Sequence, residues 1–202
     1  EQKRLLYLSL MLALILGASA VFVILYLQKR KSFLLLVQQN IKLAQTDIEK
    51  EERLQQTTNP NDFQIHKYAD TSLTPEQKKE ILETLTYLME KEKSFLNDQL
   101  TITDLAKKMN SNRNYLSQII NENFHTNFNN FINEYRVKEA RKLLINPNYQ
   151  NYTLEGIAQT VGFNSKATFN TAFKKFTGVT PSFFRDNSKH IEIHPIPEKK
   201  VS

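Results

Sequence analysis

Two short stretches of this sequence carry side chains grouped as a binding chemistry would need them. The first holds Asn112, Arg113, Asn114, Ser117, Gln118 and Asn121. The second holds Ser165, Lys166, Ala167, Asn170, Thr171 and Lys174. On a helix, each set falls along one outer face. The two faces offer amides, hydroxyls and cations and are read as free of acidic residues. Such groups can pair with base edges in the major groove and with phosphates. No phosphate loop, nucleophile motif or paired-carboxylate constellation accompanies them, so no catalytic residue is assigned. The reading is binding rather than catalysis, with no cofactor.

The elements that must position these faces form an internal repeat. One copy reads Thr101-Ile102-Thr103-Asp104-Leu105-Ala106, then Met109, Leu116 and Ile120. The other reads Thr153-Leu154-Glu155-Gly156-Ile157-Ala158, then Val161, Phe169 and Phe173. Each predicts helix, tight turn, helix. Thr101 with Asp104 has capping-box spacing, and Thr153 can cap the second copy. Leu105/Ala106/Met109 and Ile157/Ala158/Val161 give each first helix a narrow apolar face. Gly162 suits a turn with positive φ. Asn110 stands in its place in the first copy and is the next most tolerant type. Leu116/Ile120 and Phe169/Phe173 anchor each second helix at i, i+4.

Between the copies, Phe128 to about Ile145 predicts one long helix. Phe128, Phe131, Ile132, Tyr135, Val137, Ala140 and Leu144 can line its buried side. Arg136, Lys138, Arg141 and Lys142 are taken as candidates for the phosphate backbone, together with Lys175 on the second outer helix. A rigid connector would hold two readers roughly 34 Å apart, one turn of DNA.

Residues 78–187 resemble the DNA-binding domain of the AraC/XylS family of bacterial transcription regulators. The resemblance is carried by Ala158, Val161-Gly162-Phe163, Ser165, Phe169, Phe173-Lys174, Gly178, Thr180-Pro181 and Phe184-Arg185. It implies two helix-turn-helix units joined by a long helix, double-stranded DNA as partner, and RNA polymerase as a further one. The first copy departs from the pattern by lacking the turn glycine.

Composition fits a binder of nucleic acid. The 202 residues carry a net charge of +6 and no Cys, which rules out disulfides and thiolate metal sites. Residues 99–187 hold eleven Lys/Arg against six Asp/Glu, a net of +5, so most of the excess sits on the repeat. His66, His125, His190 and His194 lack further ligands at suitable spacing, so no metal is assigned.

The N-terminal part has a different character. Leu5 to Leu27 is 23 residues without a charge. As a helix it would be about 34 Å long, enough to cross a bilayer core of about 30 Å. Lys29-Arg30-Lys31 follows, against Lys3-Arg4 offset by Glu1, which favours a cytoplasmic C-terminal side. A signal peptide cut near Ala18-Ser19-Ala20 is the rival, but the apolar run continues past that point. Leu34, Val37, Ile41, Ala44 and Ile48 follow a 3-4 seam that Glu51 and Gln55 break. The seam suits either a dimeric coiled-coil stalk or an amphipathic helix lying on its own chain.

The expected organisation is all-α. Residues 1–31 form a transmembrane helix with a basic flank and 32–56 a juxtamembrane helix, the proposed homodimer contact. Residues 57–73 are a linker, 74–187 the DNA-binding domain and 188–202 a flexible tail. Thr74-Pro75-Glu76-Gln77 opens an extra first helix with Ile81, Leu82, Leu85, Leu88 and Met89 on its apolar face. Phe95 and Leu96 plug the joint that follows. The function expected is a DNA-binding transcription regulator anchored in the inner membrane, its extracytoplasmic sensor preceding Glu1. A membrane-tethered adaptor for a protein partner is the alternative. It is disfavoured because the outer faces lack Leu, Met or aromatic anchors.

Overall fold

The computed structural model describes residues 2–57 and 74–189; the linker, the tail, His66, His190 and His194 lie outside them. Eight α-helices and two short 3-10 turns account for the described secondary structure, with no strand among the described residues. Helix α1 runs unbroken over Gln2–Thr57. Then come α2 (Pro75–Glu90), α3 (Ile102–Lys108), α4 (Arg113–Phe124), α5 (Phe128–Ile145), α6 (Leu154–Thr160), α7 (Lys166–Thr177) and α8 (Pro181–Ser188).

Local chemistry explains these boundaries. Thr74 and Thr101 each complete a capping box, with Gln77 and Asp104 respectively. Thr153, Ser165 and Thr180 accept from backbone N–H groups at the starts of α6, α7 and α8. Asn112 and Asn127 do the same for α4 and α5. Each helix start thereby satisfies one of its orphan donors. The turns sit at positive φ: Asn110 at 50° and Gly162 at 90°. His125 closes α4 at 51°, and Gly178 closes α7 at 79°.

The domain has two apolar clusters, and α5 belongs to both. Ile81, Leu85, Leu88, Met89, Phe95, Leu105, Ala106, Met109, Leu116, Ile119 and Ile120 pack with Phe131 and Ile132 from the first half of α5. Ile157, Ala158, Val161, Phe163, Phe169, Phe173, Val179 and Phe184 pack with Val137, Ala140, Leu144 and Ile145 from its second half. The joint contains Phe95, which is buried, whereas Leu96 is exposed. The 3-10 turn around Leu96 directs that side chain outward.

The second half of α1 belongs to this second cluster. Val37 and Ala44 are fully buried, Ile41 is 3% exposed, and Phe33, Leu36 and Ile48 pack alongside. Phe33 meets Phe183 edge-on, ring centroids 5.8 Å apart. The 3-4 seam therefore packs on its own chain, which corrects the reading of it as a homodimer stalk. Glu51, which the sequence reading took as a break in the seam, is the ionic end of the same stripe. It accepts from Lys93 at 2.7 Å and from Lys142 at 2.6 Å. The first half of α1 differs. Its described side chains from Gln2 to Ser32 are all exposed, and its most apolar 18-residue window has mean hydropathy 2.7 with none of it buried. By length and composition this half could cross a membrane.

Candidate nucleic-acid interface

Helices α4 and α7 are the second helices of the two repeats, and both present polar faces. In α4, Arg113, Asn114, Gln118 and Asn121 are exposed and Ser117 is half-buried. In α7, Lys166, Ala167, Thr171 and Lys174 are exposed and Asn170 is half-buried. Asn112 and Ser165 sit at the caps. Asn112 Oδ1 accepts from Tyr115 N at 2.9 Å, leaving its amide N–H groups to donate outward. Ser165 Oγ accepts from Thr168 N at 3.2 Å and shares a hydrogen with the Thr168 hydroxyl. Thr171 donates to Ala167 O, so its hydroxyl keeps lone pairs to accept with.

Burial holds the two faces outward. Leu116, Ile119 and Ile120 are fully buried beneath α4, and Phe169 and Phe173 beneath α7. Arg113 and Lys166 open the two reading helices, with no hydrogen-bond or ion-pair partner among the described residues. Each cation is therefore available to a phosphate or a guanine edge.

Two features depart from the sequence reading. The α4 face does contain an acid, Glu122, one turn beyond Gln118. Gln118 Nε2 donates to it at 2.6 Å and Lys78 Nζ at 3.0 Å. Those bonds, Gln118 first, hold its carboxyl below the ordinary range. Its charge faces Lys78 across the helix pair, which offsets its repulsion of a phosphate. The second departure concerns the cations of α5. Arg136 donates to Phe95 O and Asn97 O, each at 2.8 Å. Lys138 pairs with Asp47 at 3.2 Å, and Arg141 donates to Asn40 Oδ1 at 3.1 Å and approaches Asp47 at 3.5 Å. Lys142, 8% exposed, is held by Glu51 and by Glu139 at 2.5 Å. These four are internal ties, because α1 and the loop before α3 cover the side of α5 that carries them. This corrects their assignment as phosphate contacts.

Lys175 is different. It is exposed and donates to Asn130 Oδ1 at 2.8 Å. The pair lies in an open groove beside α7, lined also by Asn133, Thr168, Thr171 and Phe176. Asn130, Asn133 and Thr168 were not among the residues assigned from sequence. The run Asn127-Phe128-Asn129-Asn130 was the available signal. No cluster of three or more His, Asp or Glu that could hold a metal occurs among the described residues.

A family model described as a helix-turn-helix domain matches residues 105–187, from the middle of α3 to the end of α8. Residues 105–187, a little over two fifths of the chain, are thus similar to helix-turn-helix domains. The Msm operon regulatory protein of Streptococcus mutans is 35% identical to it over 86 residues, 43% of this chain and 30% of the relative. The raffinose operon transcriptional regulatory protein RafR of Pediococcus pentosaceus is 31% identical over 85 residues, 42% of this chain and 30% of the relative. The chain thus spans under a third of the length of these curated relatives. Among solved structures, the C-terminal domain of AraT, a response regulator from Geobacillus stearothermophilus, aligns with 25% identity and a TM-score of 0.48. That alignment covers 65% of this chain and 98% of the other. In this chain, α3–α4 and α6–α7 are the two helix-turn-helix units and α5 is the bridge.

Proposed function

We propose that this chain is a membrane-anchored, sequence-specific transcription regulator that reads two adjacent major-groove segments with α4 and α7. One observation carries the reading. Two repeated helix-turn-helix units turn matched polar faces outward, each opened by a cation without an internal partner. Arg113, Lys166, Lys174 and Lys175 supply phosphate contacts, and affinity falls steeply with salt as counterions are released. Asn112, Asn114, Ser117, Gln118 and Asn121 on one helix read base edges, with Ser165, Asn170 and Thr171 on the other. Ala167 gives apolar contact to a thymine methyl.

The apolar half of α1 anchors the domain from the cytoplasmic side of the inner membrane. The docked half relays an extracytoplasmic signal, because the same unbroken helix touches the reading unit. Asn40, buried on α1, donates to Thr177 O at the end of α7 at 3.1 Å. A homodimer, if formed, uses a surface other than the Val37/Ile41/Ala44 seam, which is occupied.

Selection from random duplexes by the full chain in detergent micelles, across a salt series, tests this function. The expected result is a two-part motif with its halves about one helical turn apart. Recovery of no motif, with no binding at low salt, would reject DNA as the partner and favour a protein-binding adaptor.

A further inference from the structure

The two apolar clusters share α5. The first takes its α5 residues up to Tyr135 and the second begins at Val137. Apolar packing therefore fixes each helix-turn-helix unit on its own half of α5. Such packing is non-directional and does not by itself set the rotation of one unit against the other. Arg136 stands at the boundary between the clusters.

We infer that Arg136 is the positioning residue that sets the spacing between the two reading helices, and so the spacer length of the operator. Its guanidinium joins three parts of the domain. It grows from the bridge α5. Its Nε and Nη2 donate to Phe95 O and Asn97 O, both at 2.8 Å, in the loop that leads into the first unit. Its Cζ lies 5.6 Å from the ring centroid of Phe163, the residue after the turn of the second unit. The planar fork of Arg suits this double contact, and the point charge of Lys does not.

Around this contact the turn of the second unit is stitched to the entry of the first. Gly162 packs so closely that a Cβ there would lie 2.6 Å from Phe95 O, 2.8 Å from Leu96 O and 3.0 Å from Arg136 Nε. Asn164 Nδ2 donates to Asp98 O at 3.2 Å. The seam between the units is thus polar and directional, and hydrogen bonds hold angle as well as distance. A second bridge exists outside it, where Glu51 of α1 pairs with Lys93 ahead of the first unit and Lys142 behind it. The Lys93–Glu51 arm of that bridge is a part-exposed ion pair, which salt weakens. The direct Arg136 contacts are to backbone carbonyls and an aromatic face, with Asp98 as a nearby counter-charge.

The functional consequence is in the second binding event. When two readers are held rigidly, the second contact is intramolecular and adds roughly 10²–10⁴ in affinity, provided the geometry matches. One added base pair moves the second half-motif by about 3.4 Å and about 35°. A rigid pair must reject that change, and a loose pair absorbs it. This inference rests on the two-reader function proposed above.

The test uses the full chain in detergent micelles and the motif selected by wild type. Affinities are measured for spacers from two base pairs shorter to two longer, and for each half-motif alone. Wild type is expected to lose roughly tenfold for one added or removed base pair. Arg136→Met should bind each half-motif as wild type does. Its advantage on the full motif should fall by one to two orders of magnitude, roughly, and its spacer profile should flatten to within about threefold. A profile as steep as wild type overturns the inference, as does a loss on single halves equal to the loss on the full motif. If Arg136→Met does not fold by circular dichroism, Arg136→Lys and Asn164→Ala decide. A flattened profile in either supports the role, and wild-type profiles in both overturn it. If wild type itself selects no two-part motif, the two-reader function fails and this inference falls with it.

Discussion

Replacing Ile41 by Ala tests whether the second half of α1 is part of the domain core. Ile41 is 3% exposed and packs with Val137, Ala140, Phe173 and Phe184 in the second cluster. Truncating a buried Ile to Ala costs about 2–5 kcal/mol, from lost transfer energy plus the cavity left behind. Ala is the better helix former by a few tenths of a kcal/mol, which offsets little. The net expectation is a loss of about 2–4 kcal/mol, or a Tm lower by about 8–15 °C. Leu43 lies on the same helix at 52% exposure and provides the control. Leu43→Ala should change stability by less than about 0.5 kcal/mol. The assay is thermal and urea unfolding of residues 28–202, followed by circular dichroism over a hundredfold range of protein concentration. Two results would refute the reasoning. One is equal loss from both substitutions. The other is a midpoint that rises with concentration, since only an intermolecular seam makes stability depend on mass action.

Removing residues 1–27 should give a soluble protein that retains DNA binding, because the described side chains of that stretch bury nothing within the chain; sedimentation with vesicles would count against a single anchor. Removing residues 1–56 should instead bare the second cluster and cause aggregation, seen by light scattering. Arg113→Ala and Lys166→Ala should each weaken DNA binding by about 1–3 kcal/mol where the contact is to a base, or lower the salt slope by about one where it is to a phosphate, with unfolding unchanged. Docking of α1 should also respond to pH. Burial alone would raise the Glu51 carboxyl, yet the hydrogen bonds and charges of Lys142 and Lys93 outweigh it and leave it below its ordinary value of 4.5. Its stabilising contribution is therefore present above that value and lost as pH falls through the lowered one. Lys93 is desolvated, but Glu51 and Glu139 hold its pKa above the ordinary 10.5. Its share is present below 10.5 and lost as pH rises beyond. Glu51→Gln should reduce the acid-side dependence in urea titrations between pH 3 and 7, roughly the range in which carboxylates titrate, leaving the part due to Asp104 and Glu122.

What was legible in the sequence was local. Capping pairs such as Thr101/Asp104, turn residues such as Asn110 and Gly162, and the apolar faces of α3 and α6 are separated by a few positions. Their physics is complete within one turn of helix. What was not legible depended on partners far along the chain. A cation on a helix looks the same in sequence whether it faces water or a carboxylate 91 or 94 positions away, as Lys142 and Arg141 do. The same 3-4 seam serves a helix docked on its own chain or on another copy, and only the matching surface, here α5, α7 and α8, separates the two. Glu122 is hard to place from sequence because it lies at the edge of the face, and its countercharge, Lys78, comes from another helix.

The unbroken course of α1 leaves the protein without a leash. Phe33, the first side chain seated on the domain, follows Leu27 by six residues, about 9 Å of helix. On the proposed topology, the reading unit sits against the lipid and cannot swing out to look for its target. So anchored, a regulator would diffuse in two dimensions, and the chromosome would have to supply the third. Occupancy then depends on how often the operator's own locus visits the membrane, so moving that gene to another chromosomal address would change its control without altering a single contact.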